Sequence, residues 1–255
     1  MNIAVTGSSG LIGSHLLSDL KKMGHNVLCI SSSQSCPEDN IFLYEELLSN
    51  NIDFEADYLI HLASINSNLD KSDIPLEMKL IKKVIDSMRN LNCKNIIFFS
   101  TIKVYGDNSF EFNIIDESFP KNPKCYYGDA KAKCEKILIN SSHEKKFNYL
   151  IFRLPPILIN HPKSNLGKLF KWVEKGYPIP SFRVGDLNRR SFLSYDLLTK
   201  YLKKVLLSKE IASNEIFNIS DEDPISTNGL IKRFGKSIHK KPRIIYFPHL
   251  LFKAM

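Results

Sequence analysis

At 255 residues, 43% of them hydrophobic and 24% charged, the chain has the make-up of one large folded domain, or of a domain with a small appendage, and not of a disordered segment. Its net charge of +8 arises from scattered lysine pairs such as Lys21-Lys22, Lys82-Lys83 and Lys203-Lys204, the pattern of solvated helix faces. No zinc-finger spacing or other nucleic-acid motif accompanies them, so nucleic acid is not an expected partner and a phosphate-bearing small ligand suits the charge better.

In chain order, "NIAVT" (2 to 6) reads as a strand, followed by a helix over about 11 to 23 and a second strand, "NVLCIS" (26 to 31). The alternation continues with "DYLIHLA" (57 to 63), a helix over about 76 to 91 and "NIIFFS" (95 to 100). After a helix carrying Tyr127 come "YLIFR" (149 to 153), helices near 165 to 175 and 195 to 207, "IFNI" (216 to 219), a helix near 227 to 238 and "RIIYF" (243 to 247). Strands rich in Ile, Val and Phe with few polar interruptions are what a parallel sheet covered on both faces requires, and the intervening helices supply its crossovers. The expected fold is therefore α/β, a doubly wound parallel sheet (a Rossmann fold) over residues 1–160, with a smaller substrate-binding region over 161–255 that is interleaved with it and caps the sheet's carboxyl edge. The five cysteines form no C-x-x-C pair and are odd in number, which predicts reduced thiols and no metal. The opening residues read as a strand and not as a leader, and no apolar run approaches the ~18 residues of a membrane span. A cytoplasmic protein is expected.

Three stretches carry chemistry. "VTGSSGLIGSHLL" (5 to 17) joins the first strand to the first helix through Gly7, Gly10 and Gly13, where missing side chains let a pyrophosphate approach the backbone and the free N–H groups of the helix's amino end. The second strand ends on Ser31, Ser32 and Ser33, where an NAD site usually carries Asp or Glu, and no arginine or lysine lies between Val27 and Tyr44. The serines lean towards NADP, or they form a polar loop with no part in reading the ribose. "STIKVYG" (100 to 106) places Thr101 at the end of a buried strand, as a cap or as a hydroxyl facing a ligand. In "YYGDAK" (126 to 131) the helical repeat pairs Tyr127, not Tyr126, with Lys131. A phenol with a reference pKa of ~10 needs a neighbouring cation to exchange protons near neutrality.

"TGSSGLIG", "HLAS" (61 to 64), "STIKVYG" and "YYGDAK" occur in this order, and together they resemble the extended short-chain dehydrogenase/reductase family, also called the NAD-dependent epimerase/dehydratase family, of nucleotide-sugar enzymes. Further along, "RLPPIL" (153 to 158), "NLGKLFKWVEKGYPIP" (165 to 180) and "NRRSFLSYDLL" (188 to 198) are similar to the substrate half of a branch containing UDP-N-acetylglucosamine 4-epimerases and reductases of UDP-linked 4-keto-6-deoxy-N-acetylhexosamines. The resemblance implies that Gly7, Gly10, Leu11, Ile12 and Gly13 line the cofactor pyrophosphate, Ser31 the ribose region, and Leu62, Ala63 and Ser64 the nicotinamide half. Thr101, Tyr127 and Lys131 match the catalytic residues, Lys131 also gripping the cofactor ribose. Pro155 falls beside the nicotinamide and Pro156 beside the sugar. Asn165 opens the helix that holds the nucleotide diphosphate, and Arg190 matches the arginine that binds it. The cofactor so implied is NAD or NADP, and the substrate a nucleotide-diphosphate sugar. Family members commonly form homodimers through the helices at 76 to 91 and 128 to 140.

Departures from the pattern narrow the reaction. Sugar dehydratases of the family carry Asp-Glu after the threonine, whereas Ile102 and Lys103 follow Thr101, so water elimination lacks its acid and base. Ala130 replaces the usual Ser before the lysine. The 32 to 56 stretch is short and lacks the family's Gly-Asp adenine contact, and the sequence stops at Met255 where relatives continue, so either the substrate region is naturally shortened or the sequence is truncated. The expected function is hydride transfer at C4 of the sugar, as a 4-ketosugar reductase or a 4-epimerase. A cofactor-binding sensor or scaffold that has lost catalysis is the alternative.

Overall fold

The computed structural model describes residues 1–31, 41–44, 53–65, 69–106, 114–159, 164–182, 188–208 and 214–247. Ser32, Ser33 and most of the 32 to 56 stretch, together with the end of the chain after Phe247, lie outside them. The chain divides into two compact units, Met1–Leu154 with Leu207–Ile219, and Pro155–Leu206 with Ser220–Met255.

The first unit is built on a seven-stranded sheet. Its strands are β1 (Asn2–Thr6), β2 (Asn26–Ser31), β3 (Ile41–Leu43), β4 (Tyr58–His61), β5 (Asn95–Thr101), β6 (Asn148–Leu154) and β11 (Glu215–Asn218). They run in the order β3-β2-β1-β4-β5-β6-β11, and every pairing is parallel. From β1 the chain builds outward through β2 and β3, then returns to lay β4 on the other side of β1. That reversal opens a crevice beyond the carboxyl ends of β1 and β4, the place where doubly wound sheets take ligands. In register, Thr6 of β1 faces His61 of β4.

Helices cover both faces. α1 (Leu11–Lys22) packs on β1 and β2, while α2 (Ile74–Asn90) and α3 (Tyr126–Lys145) pack on each other. Alternate strand residues Ala4, Leu28, Ile30, Leu59, Ile96, Phe98 and Ile151 form one core with Ile81, Val84, Ile85 and Met88 of α2 and Cys134 and Leu138 of α3. Each such aliphatic side chain, fully buried, contributes about 1.5–3 kcal/mol before chain entropy is charged against it. The strand residues between them, including Ile3, Val5, Ile60, Ile97 and Phe152, are buried as well, which is why these strands read as continuous apolar runs.

The second unit is made of shorter pieces: β7 (Ile157–Leu158) with β10 (Leu193–Ser194), β8 (Ile179–Phe182) with β13 (Ile244–Phe247), and β9 (Arg189–Arg190) with β12 (Ile225–Ser226). α4 (Asn165–Glu174) and α6 (Thr227–Ser237) pack together over Val173, Ile179 and Ile231, and α5 (Tyr195–Leu207) follows β10 directly. Among the described residues no helix is long and apolar enough to cross a membrane, and no group of three metal-ligating side chains gathers. Cys29, Cys93, Cys125 and Cys134 are free thiols.

Candidate active site

The glycine motif forms a crook between β1 and α1. Gly7 has φ +73° and its N–H bonds the Ile30 carbonyl at 3.2 Å, and a Cβ placed on it would lie 2.7 Å from the Ala63 nitrogen. A Cβ on Gly13 would lie 2.1 Å from the Gly7 carbonyl oxygen, so glycine is what allows α1 to close onto the turn. α1 is capped at its start by Gly10 without any side-chain hydrogen bond. Its first N–H groups, those of Leu11, Ile12 and Gly13, therefore have no capping side chain in front of them, which fits a pyrophosphate at a helix amino end. Ser31 is buried at the end of β2.

Opposite the crook, the loop after β4 is fixed from two sides. The Thr6 hydroxyl meets His61 Nδ1 at 2.6 Å and the Ala63 N–H at 3.5 Å, and the Leu62 N–H bonds the Thr6 carbonyl at 3.2 Å. Glu77, buried in the first turn of α2, accepts the Ser64 hydroxyl and the Ile65 N–H, the latter at 2.5 Å. Leu62 and Ala63 are thus held against Gly7, and Ser64 against Glu77. The role of Glu77 is absent from the sequence motifs, yet a signal exists. Glu77 lies three residues after Ile74 and four before Ile81, a carboxylate on an otherwise apolar helix stripe.

A buried row leads from this loop to the tyrosine helix. His61 stacks on Phe98 with ring centroids 5.5 Å apart, and the Lys131 ammonium lies 4.9 Å from the Phe98 centroid and 5.9 Å from that of Tyr127. Lys131 is only 2% exposed, an unusual depth for an ammonium, and cation–π contact offsets part of its lost hydration. Burial, and then the Lys131 charge, hold His61 well below its usual pKa, so the imidazole is neutral. Tyr127 is half-buried and packs with Leu69, Ile74 and Ala130, whereas Tyr126 is 49% exposed.

Thr101 ends β5 and caps the 3₁₀ turn Ile102–Tyr105, its hydroxyl oxygen accepting the Lys103 N–H at 3.3 Å. A hydroxyl that accepts from the backbone still has its own proton to donate. That turn abuts α3, where a Cβ on Gly128 would sit 2.5 Å from the Lys103 carbonyl oxygen. Lys103 Nζ lies 5.6 Å from the Tyr127 ring centroid, so two ammonium groups flank one phenol ring.

Behind Thr101, the fully buried Glu135 of α3 accepts the Ser100 hydroxyl at 2.5 Å, Arg153 Nε at 3.1 Å, Arg153 Nη2 at 2.8 Å and Lys121 Nζ at 3.2 Å. Arg153 Nη1 also donates to the Tyr105 hydroxyl at 2.7 Å, and that hydroxyl donates to Asn218 Oδ1 at 2.7 Å. The network binds α3 to the carboxyl ends of β5, β6 and β11. Its trace in the sequence is a charged residue at the end of the apolar run "NYLIFRL".

The remaining expected positions belong to the second unit. Pro155 is buried and Pro156 exposed, the latter's carbonyl accepting the Leu193 N–H at 3.1 Å. Asn165 is the first residue of α4, after the capping residue Ser164, and its side chain lies outside the described residues. Arg190 is exposed on β9 beside Arg189, which donates twice to the Pro224 carbonyl.

The pattern of the NAD dependent epimerase/dehydratase family matches residues 3–220. A UDP-glucose 4-epimerase of Vibrio cholerae is 25% identical over 261 residues, spanning 94% of this chain and 76% of that protein. A dTDP-6-deoxy-L-talose 4-dehydrogenase (NAD(+)) of Aggregatibacter actinomycetemcomitans is 25% identical over 275 residues, spanning 100% of this chain and 98% of that protein. Among solved structures, the UDP-N-acetylglucosamine 4-epimerase of Bacillus cereus superposes with a TM-score of 0.82 at 21% identity, over 97% of this chain and 85% of its own. The family description names NAD, and the lean towards NADP drawn from the serines finds no support there. With its parallel sheet, its glycine crook and a match over most of its length, the chain belongs to the NAD-dependent epimerase/dehydratase family of enzymes.

Proposed function

We propose that this chain transfers hydride at C4 of a nucleoside-diphosphate sugar with NAD as cofactor. Residues 1–160 then bind the cofactor and 161–255 most of the substrate; Pro156, Asn165 and Arg190 meet the sugar and its diphosphate, and Pro155 meets the nicotinamide. The observation that carries this reading is the half-buried Tyr127 beside the desolvated ammonium of Lys131, on a helix whose first turn rests against the cap formed by Thr101. Gly7, Gly10, Leu11, Ile12 and Gly13 receive the pyrophosphate, Ser31 lies at the ribose end, and Leu62, Ala63 and Ser64 border the nicotinamide. NAD held by these residues would supply the hydride acceptor and donor.

The chain's own residues do the rest. Tyr127 moves the proton of the C4 oxygen, Thr101 donates its free hydroxyl proton to that oxygen, and Lys131 supplies the positive charge that stabilises an ionised phenol and binds the ribose hydroxyls. The same arrangement serves a 4-epimerase, which returns the hydride to the opposite face, and a 4-ketosugar reductase, which stops after one transfer. The names of the relatives include both an epimerase and a dehydrogenase. Net NADH consumption per product formed separates the two, being stoichiometric for the reductase and absent for the epimerase.

Replacing Tyr127 with Phe tests the proposal. Turnover of UDP-sugars or their 4-keto forms should fall about 10²–10⁴-fold, the usual weight of a positioned acid–base group, while NADH fluorescence titration shows unchanged binding. A cofactor-binding sensor or scaffold would bind NADH with no turnover to lose. Sedimentation of the protein tests the homodimer through α2 and α3.

A further inference from the structure

Resting on the hydride-transfer reading, we propose that Lys103 recognises a negative charge on the sugar next to the reacting carbon, so that the substrate is a nucleoside-diphosphate sugar bearing a carboxylate, a hexuronate, and not a neutral hexose.

Three observations lead there. Lys103 is fixed at its backbone, with its N–H on the Thr101 hydroxyl and its carbonyl against the bare Cα of Gly128, so its side chain starts from a rigid base beside both proposed catalytic groups. Its ammonium lies 5.6 Å from the Tyr127 ring centroid, on an exposed side chain that a ligand can reach. Among the described residues no carboxylate forms an ion pair with it, in contrast to Lys121, Lys133 and Lys145, which each have one.

Two cations beside one ring make a locally positive region. Lys131 is buried and committed to the Tyr127 and Phe98 rings, whereas Lys103 is exposed. A sugar that brings its C4 oxygen to the Tyr127 hydroxyl carries the substituent of C5 one carbon away. A carboxylate there meets the Lys103 charge, and a charge-assisted hydrogen bond in such a site discriminates strongly against a neutral hydroxymethyl group.

The test uses the intact chain with NAD. Initial rates and calorimetric binding are measured for UDP-glucuronate and UDP-glucose with the wild type, Lys103→Met and Lys103→Arg, after thermal melts and NADH binding establish that the variants fold. The wild type should favour UDP-glucuronate by about tenfold or more, the range expected of a hydrogen bond to a charged group. Lys103→Met should abolish that preference, lowering the uronate far more than the hexose, and Lys103→Arg should restore most of it. Equal handling of the two sugars by the wild type, binding of neither, or equal losses on both in Lys103→Met would overturn the proposal. If the uronate binds preferentially through Lys103 but is never oxidised or reduced, the hydride-transfer reading fails and the charge reading stands.

Discussion

In the first unit the buried carboxylate of Glu135 meets a hydroxyl, a two-pronged guanidinium and an ammonium, while in the second unit the half-buried Asp221 carboxylate meets, among the described residues, the N–H and hydroxyl of Ser194 alone, at 2.9–3.1 Å. The two acids show how differently the units are held. Glu135 has no access to water and must be satisfied by protein at every lone pair, so helix and strand ends are locked into one geometry. Asp221 ties down a loop from a position where water remains an alternative partner. The first unit therefore holds its strand ends and α3 in fixed register, and the second joins short ladders whose ends depend on a few polar bonds.

Perturbing the two acids sharpens this contrast. Glu135→Gln leaves the Arg153 guanidinium facing a neutral group in a sealed site and should lower the urea-unfolding free energy by about 3–5 kcal/mol, a large part of a typical 5–15 kcal/mol total. Asp221→Asn, measured the same way, should cost about 0.5–1.5 kcal/mol. Comparable losses at both positions would erase the distinction.

Between these extremes lies the glycine crook. Gly13→Ala forces a methyl into the Gly7 carbonyl and should cost about 1–3 kcal/mol of strain, read mainly as a roughly 10–100-fold weaker NADH affinity by fluorescence. A change confined to the melting temperature, with NADH affinity retained, would remove the crook from the cofactor site.

A smaller effect belongs to His61. Its folded pKa is held well below 6.5 by burial and by Lys131, so between the two values the unfolded chain carries a proton that the folded chain lacks. Stability is therefore complete above pH 6.5 and declines as pH falls through that window, by at most about 1.4 kcal/mol per unit. Thermal melts from pH 7.5 down to 5.5 should show the decline, and His61→Asn should flatten it. The mildest prediction concerns the thiols. Burial pushes Cys93 up to about 11 and Cys134 up to about 12, so iodoacetamide at neutral pH should label exposed Cys125 well ahead of either.

Much of the first unit was legible because its strands are buried on both faces and its helices show one apolar stripe. "NIAVT", "NVLCIS" and "NIIFFS" fall on β1, β2 and β5 almost residue for residue. β3, three residues long, was not, since its place depends on the edge offered by β2. The two-residue ladders of the second unit pair segments about 35 residues apart, such as Arg190 with Ile225, and nothing local announces such a pairing. For the site, spacing was enough to set Tyr127 beside Lys131. The supporting polar residues were hidden for a physical reason. Thr6, Glu77, Glu135 and Arg153 act through partners from other strands and helices, and only their presence on apolar stripes and runs marks them.

The row Thr6, His61, Phe98, Lys131 amounts to a spacer of set length between the glycine crook and the Tyr127 phenol. Lys103 stands outside that spacer, its own N–H held by the Thr101 hydroxyl and its carbonyl set against Gly128. On the proposed reading, sugar preference could then be retuned by exchanging one surface-reaching side chain, with the length of that spacer left untouched.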